Sequence, residues 1–185
     1  QKIIKRLLAF SSINHVGFIL LGIMSYELMS EGTIFFYLII YLITIFGIFT
    51  VILNLRSSEG ELTKISELNG LRFSSRSKSI AMLVFLFSLA GIPPFAGFFA
   101  KFFILSASIN EGLYVLSIIA VISSVIAAFY YLSVIKNMFF NNKEEELLLD
   151  NNKIGSVVFI SSALILTLFF FYPDPLINLV DGLFS

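Results

Sequence analysis

Two ionisable side chains in this 185-residue sequence sit where chemistry would be costly unless it were useful: Lys101 and His15. Lys101 lies in the run Leu89-Ala90-Gly91-Ile92-Pro93-Pro94-Phe95-Ala96-Gly97-Phe98-Phe99-Ala100-Lys101-Phe102-Phe103. It precedes Glu111 by about ten residues, ~15 Å along a helix, which is about half of a ~30 Å hydrocarbon core. A lysine that merely snorkels belongs near a helix end, and this one does not. Near the midplane desolvation disfavours its charged form, so it can take up or give up a proton as a neighbouring charge comes or goes. His15 is the single histidine, and imidazole is the one unperturbed side chain that changes charge near neutral pH. Ser11 lies one helical turn before it on the same face. For His15 two roles stand level: a proton relay, and a neutral ring hydrogen-bonded to a neighbouring helix.

The lysine is accompanied by a helix break. Proline has no N–H to donate, and Pro93 and Pro94 each push the preceding residue out of the α region, so a helix opens between Gly91 and Pro94. Carbonyls upstream then lose their partners. Within a bilayer such groups persist only where protein covers them or a wet cavity runs beside them, as in the broken helices of transporters.

The elements that carry these residues are read from composition and hydropathy. With 58% hydrophobic and 13% charged residues and a mean hydropathy of +0.97, the chain is an integral membrane protein. Twelve basic and twelve acidic residues cancel, so net charge points to no nucleic acid or acidic partner. The absence of cysteine excludes thiolate metal sites, iron–sulfur ligation and disulfides within the chain. Apolar runs predict one membrane domain over 1–185, all helical, with five spans at about 7–28, 33–55, 80–109, 113–135 and 154–172. The third is long enough to need the break, and Pro173 and Pro175 stop the last. The first run is too long and too near Gln1 for a removable signal sequence, and Gln1 itself is read as a sign of trimming, processing or an unusual start codon.

Eleven of the twelve bases fall in every other connecting segment, and so on one side of the membrane: Lys2, Lys5 and Arg6; Arg56, Lys64, Arg72, Arg76 and Lys78; Lys136, Lys143 and Lys153. The short-loop excess of Lys and Arg marks the inner side, so the N-terminus is expected inside and the C-terminus outside. Lys101 is the base left over. The segment from Leu62 to Leu68 has apolar residues at 62, 65 and 68, which predicts a short helical patch on the inner surface. Glu144, Glu145 and Glu146 read as a solvated loop.

Other polar groups within the spans are Ser12, Asn14, Ser88, Ser106, Ser123, Ser124, Tyr130 and Tyr131. Most of the serines suit helix packing; Ser11, Ser12, Ser88 and Tyr130 are the candidates for a polar axis with Lys101. No phosphate-binding glycine loop occurs, one histidine cannot make a metal or haem site, and no nucleophile, base and orienting acid stand together. The chain is expected to do no covalent chemistry.

Two stretches resemble a known family. Lys5-Arg6-Leu7-Leu8-Ala9-Phe10-Ser11-Ser12-Ile13-Asn14-His15-Val16-Gly17-Phe18 resembles the Lys-Arg-x-x-Ala-Tyr-Ser-Ser-x-x-His-x-Gly segment of the antiporter-like subunits of respiratory complex I. Leu89 to Phe103 resembles their Leu-Ala-Gly-x-Pro segment, followed by Phe-x-(Gly/Ala)-(Lys/Glu)-Phe, on a broken helix. In the family the residue matching Lys101 is Lys in subunits 2 and 5 and Glu in subunit 4, and that matching His15 is His in subunits 2 and 4. The pair therefore points to subunit 2 of NADH:ubiquinone oxidoreductase. Phe10 lacks the usual tyrosine hydroxyl and Ala100 replaces the usual glycine, but neither change touches a titratable group.

The resemblance implies the C-terminal portion of a bundle of about fourteen helices built on inverted repeats. It implies a half-channel for protons with Lys101 and His15 as its groups, and a non-redox role in a translocating enzyme of the respiratory electron-transport chain. Flavin, iron–sulfur clusters and ubiquinone are then expected on other subunits. The implied partners are other membrane-arm subunits, the lipid bilayer, and a second chain carrying the missing N-terminal half, as in a split mitochondrial gene. The implied location is the mitochondrial inner membrane, with a bacterial plasma membrane as the alternative. Two other functions compete: a subunit of a multisubunit cation/proton antiporter, and a structural membrane scaffold.

Overall fold

The computed structural model describes residues 1–25, 31–57, 60–142, 148–149 and 152–171. Its helices are α1 (Ile4–Met24), α2 (Glu31–Leu53), α3 (Leu71–Ser74), α4 (Arg76–Ala90), α5 (Ala96–Asn110), α6 (Tyr114–Phe140) and α7 (Lys153–Leu168). The apolar runs form helices because long apolar segments must pair every backbone group internally when no water is at hand. Helix α4 is buried almost all round from Ala81 to Ala90, as expected of a helix that is hydrophobic on every side. It packs against α2, α6, α7 and α5, so the break at its end lies inside the bundle. Helix α6 is the opposite case: Val115, Ile118, Ile122, Val125 and Phe129 are exposed along it.

The ends of the helices differ from the sequence expectation for tertiary reasons. Helix α1 begins at Ile4 rather than Leu7, because Ile4 N–H is held by Thr63 O at 3.0 Å and its side chain is buried; Lys5 and Arg6 therefore lie in its first turn. Helix α2 stops at Leu53, and Leu55 enters a strand. Helix α6 continues past Ile135 to Phe140, since Met138 is buried and the carbonyl of Asn137 accepts Gly70 N–H at 3.1 Å. Asn152 caps α7, accepting Ile154 N–H at 3.1 Å and Gly155 N–H at 3.3 Å. The expected end of the first span at Leu28 and of the fifth at Tyr172, the prolines 173 and 175, and Glu144, Glu145 and Glu146 lie outside the described residues.

Among the described residues three helical stretches are long and apolar enough to cross a membrane, Ile4–Met24, Gly32–Leu53 and Tyr114–Phe140, against five spans expected. The third expected span is divided into α4 and α5, of 15 residues each, and α7 has 16, short of the ~20 a single crossing needs. The patch at Leu62 to Leu68 is also corrected. It is a 3-10 turn over Ile65–Leu68 with Leu62, Ile65 and Leu68 in the core against α6, not a helix lying on a surface.

The architecture is helical apart from a minimal antiparallel sheet of Leu55–Ser57, Gly60–Glu61 and Leu148–Leu149, in which Arg56 pairs with Leu148. Lys2 O accepts Ile65 N–H at 2.9 Å. With the Gly70–Asn137 bond, these links tie the N-terminus, the 56–75 segment and the end of α6 into one cap at one end of the bundle. That cap holds most of the basic residues. Lys78 belongs to this end too: it is buried, and its Nζ donates to the carbonyl of Asn54 at 2.8 Å, at the C-terminus of α2.

Candidate functional site

The break between α4 and α5 is built by Gly91, Pro93 and Pro94. Gly91 takes a left-handed conformation (φ 75°) and closes α4 with two reverse bonds, Gly91 N–H to Ser88 O and Ile92 N–H to Phe87 O, each 3.0 Å. In a continuing helix the carbonyls of Leu89 and Ala90 would accept from residues 93 and 94, and both are prolines with no N–H. On the far side α5 starts against Ser88, whose hydroxyl accepts Gly97 N–H at 3.2 Å.

A Cβ on Gly97 would stand 2.0 Å from the carbonyl oxygen of Ser88, so the two half-helices meet only because residue 97 has no side chain. Gly97→Ala is expected to destabilise the fold by ~1–3 kcal/mol, the usual cost of forcing atoms into a packed interior. The check is the thermal midpoint of the protein in its complex in detergent; a midpoint equal to the parent's would show that the close approach is dispensable.

Lys101, on α5, uses the freed carbonyl. It is 5% exposed, and its Nζ donates to Leu89 O and to the hydroxyl of Ser124 on α6, each at 2.8 Å. The ammonium also stands 5.1 Å from the centroid of the Phe18 ring on α1, a cation–π arrangement. Among the described residues its partners are thus a carbonyl, a hydroxyl and a ring face, with no carboxylate. Gly91 makes room for the lysine stem: a Cβ there would lie 3.0 Å from Lys101 Cδ.

His15 lies in a neighbouring cluster and is 3% exposed. Its Nδ1 shares a 2.7 Å hydrogen bond with the Tyr37 hydroxyl, and its Nε2 faces the Tyr131 hydroxyl at 3.5 Å. Its ring stacks on Tyr41 with centroids 4.7 Å apart. Tyr131 in turn pairs with Ser11. Either neutral tautomer serves both hydroxyls, one ring nitrogen donating to one tyrosine and the other accepting from its counterpart. Between Lys101, His15, Tyr37, Tyr41 and Ser88 remains a cavity of about 10 Å³. That is near the ~10–15 Å³ that one water requires. On its other side Lys101 lines an open cleft of about 250 Å³ between α5 and α6, with Gly91, Phe98 and Ser124.

The structure therefore brings together Lys101, His15, Ser11, Ser88, Gly91 and the prolines. Ser12 lies at the edge, partly buried, donating to Ala9 O at 2.7 Å. Tyr130, the tyrosine favoured from sequence, is 45% exposed, while Tyr131 beside it is 1% exposed and in the cluster. Tyr37, Tyr41 and Thr44, which lines the same small cavity, were missed. Their spacing of four and then three residues puts all three on one face of α2, which is the signal that would have found them.

The fold and the site define a polytopic helical membrane protein whose central helical segment is interrupted beside a buried lysine. The chain belongs to the NADH:quinone oxidoreductase/Mrp antiporter transmembrane family, whose model matches residues 1–127. It is 45% identical over 126 residues to NADH-quinone oxidoreductase subunit N of Rhodospirillum rubrum and 43% identical over 126 residues to that of Hirschia baltica. In each case the match covers 68% of this chain and 26% of the relative, so the matched part is about a quarter of the curated relatives. Among solved structures, respiratory complex I from Thermus thermophilus with bound Aureothin superposes with a TM-score of 0.84 at 26% identity, over 96% of this chain and 40% of that one. The Mrp complex from Dietzia sp. DQ12-45-1b shares the fold with a TM-score of 0.78 at 18% identity, over 97% of this chain and 42% of that one.

Proposed function

We propose that this chain is the C-terminal part of an antiporter-like membrane-arm subunit of NADH:quinone oxidoreductase, corresponding to subunit 2, and that it supplies one proton half-channel. The observation that carries this reading is Lys101: buried, bound to a carbonyl that Pro93 has orphaned, and facing His15 across a space the size of one water. In this reading α4 and α5 are two halves of one broken span and α7 is the fifth. Lys101 is the proton-loading group, and the Ser11–Tyr131–His15 cluster relays protons to it, with Tyr37 holding the imidazole in place. The chain itself performs no redox step; flavin, iron–sulfur clusters and ubiquinone belong to other subunits, which are its partners in the membrane arm. The relatives carry further helices that this sequence does not span, and the mitochondrial inner membrane is the location, with the bacterial plasma membrane as the alternative.

The test is proton transport by the whole complex in vesicles. Transport that depends on NADH and stops with a quinone-site blocker supports the reading. The likeness to the Mrp fold favours one competing function, a cation/proton antiporter subunit, for which a sodium gradient would drive proton movement without NADH.

Orientation gives a further prediction. The cap at one end of the bundle gathers the basic segments, which supports placing that end on the inner side. The natural sequence has no cysteine, so a single cysteine at Lys64 is expected to react with an impermeant maleimide only from the inner compartment, and one at Ser185 only from the outer. Labelling of the Ser185 position from inside alone would overturn the topology.

A further inference from the structure

The seam between α5 and α6 carries polar pairs at a fixed interval. Gly112, at φ 75°, turns the chain between the two helices, and Leu113 N–H closes the turn on Ser108 O at 2.9 Å, which sets α5 and α6 antiparallel in one register. In that register Lys101 meets Ser124, and seven residues away along each helix Ser108 meets Ser117, their hydroxyls 2.7 Å apart. Seven residues are about two turns, or ~10.5 Å. Three residues beyond Ser108 and on the same face, at the end of α5, the Oε1 of Glu111 is buried and has no hydrogen-bond partner among the described residues. This end of the seam lies opposite the basic cap, since α6 runs from Tyr114 here to Phe140 there.

The buried serine pair has a property that packing alone does not require. Each hydroxyl has one proton to donate, yet the two make three contacts: one with each other, Ser108 with Leu105 O and Ser117 with Leu113 O, the last two at 2.9 Å. Either Ser108 donates to Ser117 and Ser117 to Leu113 O, or Ser117 donates to Ser108 and Ser108 to Leu105 O. The two arrangements exchange without moving a heavy atom. A proton arriving at Ser108 Oγ sends that hydroxyl's own proton to Ser117 Oγ, which sheds its own outward, so the pair passes from the first arrangement to the second. Rotation of both hydroxyls resets it. Between the two pairs the open cleft of about 250 Å³ runs from Lys101 and Ser124 to Leu105 and Val121, against the ~10–15 Å³ that one water requires. We propose that a proton leaving Lys101 for the outer side passes along this seam, through water beside Leu105 and then the Ser108–Ser117 pair, to Glu111. The inference rests on the proton-loading role given to Lys101 under Proposed function. It adds a route of release and the three side chains that form it.

The experiment measures proton transport by the whole complex in vesicles, together with its thermal midpoint. Ser108→Ala combined with Ser117→Ala deletes both partners of the shared hydrogen bond, so the midpoint is expected to stay near the parental value while transport slows about tenfold. That is less than the ~10²-fold of a positioned proton-transfer group, because water can enter the vacated space. Glu111→Gln keeps the size of the side chain but cannot take up a proton, and it is expected to slow transport by about the same factor. Groups acting in series on one route are not independent, so adding Glu111→Gln to the two alanines should slow transport no further. Parental transport in either variant, or losses that multiply when the two are combined, would overturn the route. If the alanine variant fails to assemble, Glu111→Gln decides alone. Lys101→Met separates the two levels of the argument: normal pumping there removes the proton-loading role, whereas a loss there beside parental pumping in the seam variants removes only the route.

Discussion

Complexes carrying Lys101→Met are expected to assemble and yet to move protons about 10²-fold more slowly than the parent, the lower end of what a positioned proton-transfer group contributes. An isolated charge at the bilayer centre costs at least ~2.5–3.5 kcal/mol, and a cation–π contact with hydrogen bonds to a carbonyl and a hydroxyl returns part of that cost. The contacts seen are of this neutral kind: Leu89 O, Ser124 Oγ and the Phe18 ring. A lysine without a fixed carboxylate partner keeps both protonation states within reach, which a structural ion pair would not. Methionine has a similar length and fits beside Phe18 and Gly91, so packing is largely kept, but it leaves the carbonyl of Leu89 without its donor. Assembly is therefore measured alongside pumping. Lys101→Glu is expected to retain part of the transport, since a carboxyl can also hold and release a proton although its charge states differ. Protons moved per electron at the parental ratio in Lys101→Met would end the proton-carrying role and reassign the lysine to holding α4, α5 and α6 together.

The break and the lysine were legible in the sequence because their effects are local or categorical. Pro93 and Pro94 remove two specific donors whatever surrounds them, and a base in an apolar run is rare enough to stand out. Which carbonyl the lysine would take was not legible. It follows from Gly91 turning the chain so that Lys101 reaches back across the break to Leu89. Tyr130 and Tyr131 show the same limit from the other side. Successive residues on a helix differ by ~100° in direction, so only the placement of α6 against α1 decides which tyrosine meets Ser11. Tyr37 and Tyr41 were passed over for a different reason: in an apolar helix a single tyrosine counts as apolar bulk, and only their recurrence on one face with Thr44 marks them as polar groups. Helix ends at Ile4 and Phe140 depended on partners far along the chain, Thr63 and Gly70, which no local periodicity contains.

His15→Leu is expected to slow proton transport by about tenfold, but the substitution alone is ambiguous. Removing the ring deprives the buried Tyr37 hydroxyl of its partner at 2.7 Å, and an unpaired buried hydroxyl costs ~1–3 kcal/mol. A loss of activity could then reflect damage to α1–α2 packing. Tyr131 is less affected, because it keeps Ser11. The double variant His15→Leu with Tyr37→Phe separates the two effects, since deleting both partners of a hydrogen bond together is far less destabilising than deleting one. If His15 relays protons, the double variant should regain the thermal midpoint of the assembled complex while transport stays about tenfold low. If His15 only ties α1 to α2, transport should recover with stability. Parental rates of pumping in the double variant would thus show that the path to Lys101 does not pass through the imidazole.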